Sequence, residues 1–292
     1  MMKKALAVLF GTMVLTVSLT GCGKGSSEGF NTAKEISVIS REDGSGTRGA
    51  FIELFGIEVK DADGNKVDMT KDDANVTNNT SVMMTTVAGD EYALGYISLG
   101  SLNDTVKAIQ IDGAKASIDN VKNGSYKIAR PFNIVTKDGL SDVAQDFINY
   151  IMSSEGQAIV QDSGYVPMDG VSSYVSNGAT GKIVVAGSSS VSPLMEKLKE
   201  AYLAVATGVE VEIQTSDSTT GASATVEGIA DIGMCSREIK DSEKEAGLID
   251  TTIAMDGIAV IVNNDNPVDG LDSSDIYDIY TGATTVWSDI VE

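Results

Sequence analysis

Apolar residues fall along this chain in two alternating rhythms. Short apolar runs at Ile36–Ser40, Leu94–Ser98, Val106–Ile111, Tyr126–Val135, Lys182–Ala186, Val209–Gln214, Ile232–Met234 and Gly257–Val262 have the length and β-branched content of strands. Between them, helical spacing predicts helices over Thr47–Leu54, Ser81–Val87, Val143–Met152, Pro193–Ala206, Ala222–Glu227 and Ser273–Tyr280. After Ser141, the residues Val143, Phe147 and Ile151 recur every fourth position and form one buried stripe. Ser192 before Pro193 marks a helix start: the hydroxyl can cap the first turn, and proline is tolerated where no N–H is needed. Strands alternating with helices predict an α/β fold with mixed or parallel sheets. Val171–Gly181 is turn-rich and poor in apolar residues, and reads as a linker.

Residues 1–21 follow neither rhythm. Lys3 and Lys4 precede an apolar stretch, Ala5 to Ser18, of signal-peptide length and too short for a membrane span. Leu19-Thr20-Gly21-Cys22 has the form of a bacterial lipobox, which predicts a lipid on Cys22 and a mature chain starting there. Residues 22–34 are Gly/Ser-rich and polar, as a tether between lipid and domain would be. The expected location is the extracytoplasmic face of the cell membrane.

Composition narrows the chemistry. The 292 residues include no His and two Cys, which excludes a Ser-His-Asp triad, a Cys-His dyad and a His-ligated or four-cysteine metal site. A formal charge of -21 argues against a nucleic-acid partner, because phosphate backbones call for a basic surface. It leaves room for a small anion, which responds to local N–H and hydroxyl dipoles more than to distant screened charges. With Cys22 lipidated, Cys235 has no internal partner and reads as a buried thiol.

Four polar clusters stand where predicted strands give way to helices: Ser40–Arg48, Gly187–Ser192, Ser216–Gly221 and Cys235-Ser236-Arg237. A helix N-terminus offers unpaired N–H groups and the positive end of a dipole, Gly admits a ligand close to the backbone, and hydroxyls add neutral donors. One such cluster is an ordinary cap; four on alternating strands predict an anion site. No G-x-x-x-x-G-K-[ST] motif is present, and Gly44, Gly46 and Gly49 lack the βαβ context of a dinucleotide fingerprint.

The segments ISREDGSGTRGAF, GKIVVAGSSSVSPLMEKL, ADIGMCSREIK and DGIAVIVNNDNPV together resemble the phosphate-binding lipoproteins of Pst-type ABC transporters, from about Glu35 to the end of the chain. The resemblance implies an α/β, type II periplasmic-binding-protein fold with two lobes, two hinge crossings and a ligand cleft. It implies a receptor and not an enzyme, with inorganic phosphate and the permease subunits of an ABC transporter as partners. A monomer with no cofactor and no metal is expected. The order of the segments departs from the family's: the half beginning at Glu35 precedes the half beginning at Gly181, which implies a circular permutation joined at 171–181. The first lobe would then run from about Asn103 to Asp265, and the second would combine Glu35–Leu102 with Asn266–Glu292.

Carried over residue by residue, the resemblance assigns Arg41, Asp43, Ser45, Gly46 and Thr47 of the second lobe to the ligand, with Ser189, Ser190, Val191, Ser218 and Ser236 of the first. One branch of the family has Asp after the Ser of the fourth cluster, where this sequence has Arg237. Either Asp43 alone accepts the proton of hydrogen phosphate, or Arg237 adds a donor and makes the site more cationic. An Asp43 acceptor would favour phosphate over sulfate, which has no proton to offer at neutral pH. Two other readings stay open: a receptor of the same fold for sulfate, molybdate or another oxyanion, and a hydrolase with a clustered Ser as nucleophile, which would need a Lys or carboxylate base.

Overall fold

The computed structural model describes residues 29–290. The signal segment and Cys22 lie outside them. A nine-stranded sheet runs through the molecule, in the order Val209–Ser216, Gly181–Ser188, Ile232–Cys235, Ala129–Thr136, Ile249–Val262, Ala93–Ser98, Ser37–Arg41 and Asn75–Thr77, with Lys107–Ala108 also on Ile249–Val262. At each end the strands pair in parallel through helical crossovers. The middle strands, Ala129–Thr136 and Ile249–Val262, are antiparallel to one another.

Two buried cores flank the sheet's middle. One gathers residues from Ile36 to Ile128 with Ile258–Val262 and the C-terminal Ile276, Tyr280 and Trp287. The other runs from Phe132 to Ala254. The lobes therefore divide at 129 and 257, not at the expected 103 and 265. Val106, Ile109, Ile111, Tyr126 and Ile128 pack with the second lobe, because their segment runs beside Ile258–Val262. The two crossings are the paired strands themselves, and Arg130 faces Asp256 in their register.

The fold seats the helices by local rules. Ser45, Asn79, Ser141 and Asp217 each accept a hydrogen bond from an N–H in the first turn of the helix that follows. The segment 171–180 has no helix or strand. It is pinned by Asp146, which accepts from the Tyr174 hydroxyl (2.7 Å) and the Asn177 N–H (2.8 Å). The two ends of the described chain meet: Ile36 N–H donates to Thr285 O, Trp287 N–H to Lys34 O and Ser288 N–H to Thr32 O, around a Glu35–Val286 bridge.

Candidate functional site

The second lobe builds its share of the site where the Ser37–Arg41 strand ends. The Tyr96 hydroxyl lies 3.1 Å from both Ser40 Oγ and Arg41 N, and its ring stacks on Phe51 with centroids 3.9 Å apart. Burial pushes the Tyr96 phenol up to about 12, so it serves as a neutral strut under the strand end. Arg41 is 2% exposed. Its Nε and Nη2 hold the Glu42 carboxylate at 2.7 Å each, and Nη2 also donates to Ser189 Oγ of the other lobe at 3.1 Å. Its Nη1 is buried and has no partner. The chain then turns at Gly44, whose φ of +85° and proximity to Asp217 leave no room for a side chain. Ser45 caps the helix Gly46–Leu54, whose first-turn N–H groups at Gly46 and Thr47 have no acceptor within the helix.

The first lobe meets it with hydroxyls. Ser190 Oγ lies 2.8 Å from Thr47 Oγ1. Ser188 Oγ donates to Ser236 Oγ (2.9 Å), and Ser236 N–H donates to Ser218 Oγ (3.0 Å). The Thr219 N–H and hydroxyl both reach Gly44 O at 3.2 Å. A Cβ on Gly46 would collide with Ser218 Oγ and stand 2.7 Å from Ser236 Oγ, so the helix start lies directly against the opposite loops. Gly46 thus meets Ser218 and Ser236, Thr47 meets Ser190 and Arg41 meets Ser189, while Ser45 caps the helix that carries Gly46 and Thr47.

Three of the expected residues are placed otherwise. Val191 buries its side chain in the first-lobe core, and its N–H already donates to Ser188 O at 3.0 Å. The Asp43 side chain is 98% exposed and pairs with Arg48 Nη1 at 2.9 Å, because the turn after Arg41 sends it outward. The carboxylate on Arg41 is Glu42. Arg237 is clamped by Glu243, Nη1 to Oε2 at 2.8 Å and Nη2 to Oε1 at 2.7 Å, and also touches Thr219 Oγ1. Burial, the largest single influence, opposes ionisation of Glu243, but the Arg237 hydrogen bonds, the Lys240 N–H and the charges of both residues together outweigh it and hold the carboxyl below its usual range. The cation at 237 is therefore balanced within its own lobe.

Sequence reasoning missed Thr80, Glu42 and Arg130. Thr80 starts the helix Thr80–Ala88 and is buried against Ser189 and Ser190, behind a short Asn-Asn-Thr cap signal. Arg130 sits at the hinge, 3% exposed, with Nη2 3.2 Å from Asp256 Oδ2 and Nη1 donating to Ser236 O at 2.9 Å. Ser98 of the other lobe donates to Asp256 Oδ1 at 2.9 Å. Burial pushes Asp256 up to about 6, against the opposing pull of Arg130.

The arrangement is a closed cluster of neutral hydroxyl donors around one guanidinium with a free edge. Such a cluster suits an acceptor-only group: each oxygen of a small oxyanion can take hydroxyl, N–H and charge-assisted guanidinium hydrogen bonds without a bulk counter-charge. Among the described residues, no group of three or more His, Cys, Asp or Glu could hold a metal ion. No helix among them is long and apolar enough to cross a membrane.

Comparison with known proteins identifies the family. Residues 26–155 and 172–291 match the PBP superfamily domain. Phosphate-binding protein PstS 2 of Streptococcus agalactiae serotype V is 55% identical over 273 residues, 93% of this chain and 92% of that protein. Its namesake in Streptococcus pneumoniae serotype 4 is 45% identical over 274 residues, 93% of this chain and 94% of that one. A crystal structure of a phosphate-binding protein of a phosphate ABC transporter from Streptococcus pneumoniae TIGR4 superposes with a TM-score of 0.70 at 46% identity, covering 88% of this chain and 99% of its own. The chain belongs to the PBP superfamily and, within it, to the PstS phosphate-binding proteins.

Proposed function

We infer that this chain is an extracytoplasmic receptor that binds inorganic phosphate between its lobes and delivers it to an ABC permease. The observation that carries the reading is Arg41: a buried guanidinium, oriented by Glu42 and Ser189, whose Nη1 has no protein partner inside a cluster of hydroxyls from both lobes. An anion there completes the guanidinium's hydrogen bonds and ties the lobes together. Ser45, Gly46, Thr47, Ser189, Ser190, Ser218 and Ser236 supply the remaining donors. Arg237 acts through Thr219 and not on the ligand. Anchoring through a lipid on Cys22 and action as a monomer belong to the same proposal, as does the permuted order of the halves. The ladder between residues 32–36 and 285–288 supports the permutation, since it places the ends close enough to have once been continuous.

Calorimetry on the soluble protein tests the reading. One phosphate per chain is expected, with binding lost by at least a hundredfold in Arg41→Met and in the Ser45→Ala/Ser190→Ala double variant. Unaltered phosphate affinity in either would overturn it. Tighter binding of sulfate or molybdate than of phosphate would reassign the ligand.

A further inference from the structure

Thr80 belongs to none of the segments that identified the site, yet it stands among its hydroxyls. It is 6% exposed, and its Oγ1 lies 3.3 Å from Ser190 Oγ and 3.5 Å from Ser189 Oγ, both on the opposite lobe. With the 2.8 Å contact between Ser190 and Thr47, four hydroxyls form one chain: Thr47, Ser190, Thr80, Ser189. Each hydroxyl carries one hydrogen. Three mutual contacts use at most three of the four, so at least one O–H is left to donate outside the chain. Ser189 also accepts from Arg41, which steers its own hydrogen away from that guanidinium. The chain is therefore short of acceptors, as is the unpartnered Arg41 Nη1 beside it.

Its position adds a second argument. Thr80, Asn79, Ser81 and Ser189 line a cleft of about 690 Å³ that continues toward Pro193 and Glu196. Thr80 and Ser189 belong both to this cleft and to the hydroxyl chain, so they stand at the boundary between site and cleft. The Asn79 side chain caps Val82 N–H, which leaves the Thr80 and Ser81 N–H groups of the first turn without acceptors in the helix.

We propose that Thr80 is a ligand-binding residue at the mouth of the site, its hydroxyl donating to the bound oxyanion while it bridges to Ser189 and Ser190. The helix Thr80–Ala88 is then a second element of its lobe, beside the helix Gly46–Leu54, that closes on the ligand. This rests on the phosphate-receptor reading. Calorimetry with inorganic phosphate on wild type, Thr80→Val, Thr80→Ala and Thr80→Ser separates the two. Wild type is expected to bind, the serine variant to bind within about threefold of it, and the valine and alanine variants to bind roughly tenfold or more weakly, the range for a lost hydrogen bond to a charged group. Melting temperatures without phosphate should stay close together, while the phosphate-induced rise in melting temperature shrinks only where the hydroxyl is gone. Wild-type affinity in a folded valine or alanine variant overturns the assignment, as does an equal loss in the serine variant. A wild-type protein that binds no phosphate sinks the receptor reading itself.

Discussion

Arg41 and Asp43 stand two positions apart and finish in opposite surroundings. Arg41 ends a strand whose inward face is fixed by Tyr96, while Asp43 sits in the turn that follows and reaches solvent. The motif that contains them was legible in the sequence, and so was its place at a strand-to-helix junction. The direction of each side chain was not, because no periodicity extends through a turn. The same holds for Arg237: its identity was plain, but Glu243, six residues on, which neutralises it, carried no signal before folding. Exposed ion pairs contribute little. Asp43→Asn should therefore leave phosphate affinity within about twofold. Glu42→Gln, which removes charge from the bidentate partner of a buried arginine, should weaken binding about tenfold. Titration calorimetry on the two variants decides the matter, and a large loss in Asp43→Asn would restore its carboxylate to the ligand.

At the level of elements, six helices could be read, one of them for the wrong reason: Ser192, expected to cap the first turn, lies inside the helix Ser192–Val205, which has no side-chain cap, and donates to Ser188 O at 3.1 Å. The helix Ser154–Asp162 could not be read, because its buried positions are Gly156, Gln157 and Val160. Gln157 is inside only because its amide donates to Ile151 O and Ile253 O and accepts from Met168 N–H, partners outside its own helix. The strand Ile249–Val262 was read from Gly257 on, since its first half, IDTTIAMD, mixes polar and apolar residues. The helix Gly46–Leu54 carries a sharper consequence. Its start fits the opposite loops only without a side chain, as a Cβ there would meet Ser218 and Ser236 hydroxyls. Gly46→Ala is expected to hold the lobes apart and weaken phosphate binding at least a hundredfold, while the melting temperature without ligand changes little. Small-angle scattering should find the variant more open in the presence of phosphate, and a compact, tightly binding variant would refute the close fit.

For the molecule as a whole, the two-lobe plan was legible and the hinge was not. The break between cores falls within the two paired strands, with no loop to mark it; the Arg130–Asp256 pair marks it instead. This pair joins Ser98 of one lobe to the Ser236 loop of the other. The folded state raises Asp256 from its ordinary 3.8 to about 6, so the native protein holds this proton more tightly than the unfolded chain does. Its contribution to stability is fully present below pH 4 and lost as pH rises through 6. Asp256→Asn removes the titration. The stability of wild type relative to the variant should fall by about 2 kcal/mol between pH 4 and pH 7, given the shift to about 6. Urea melts across that range measure it, and parallel curves for the two proteins would remove Asp256 from the account.

The meeting of the chain's ends has a mechanical meaning. Residues 32–36 and 285–288 form one ladder on the second lobe, so the chain enters and leaves the fold through the same body. A pull applied ahead of residue 29 would enter the fold through that body before it reached the hinge strands 129–136 and 249–262. With the chain held ahead of residue 29, the second lobe would be the fixed body and the lobe with Ser188, Ser189 and Ser190 the one free to turn about the hinge.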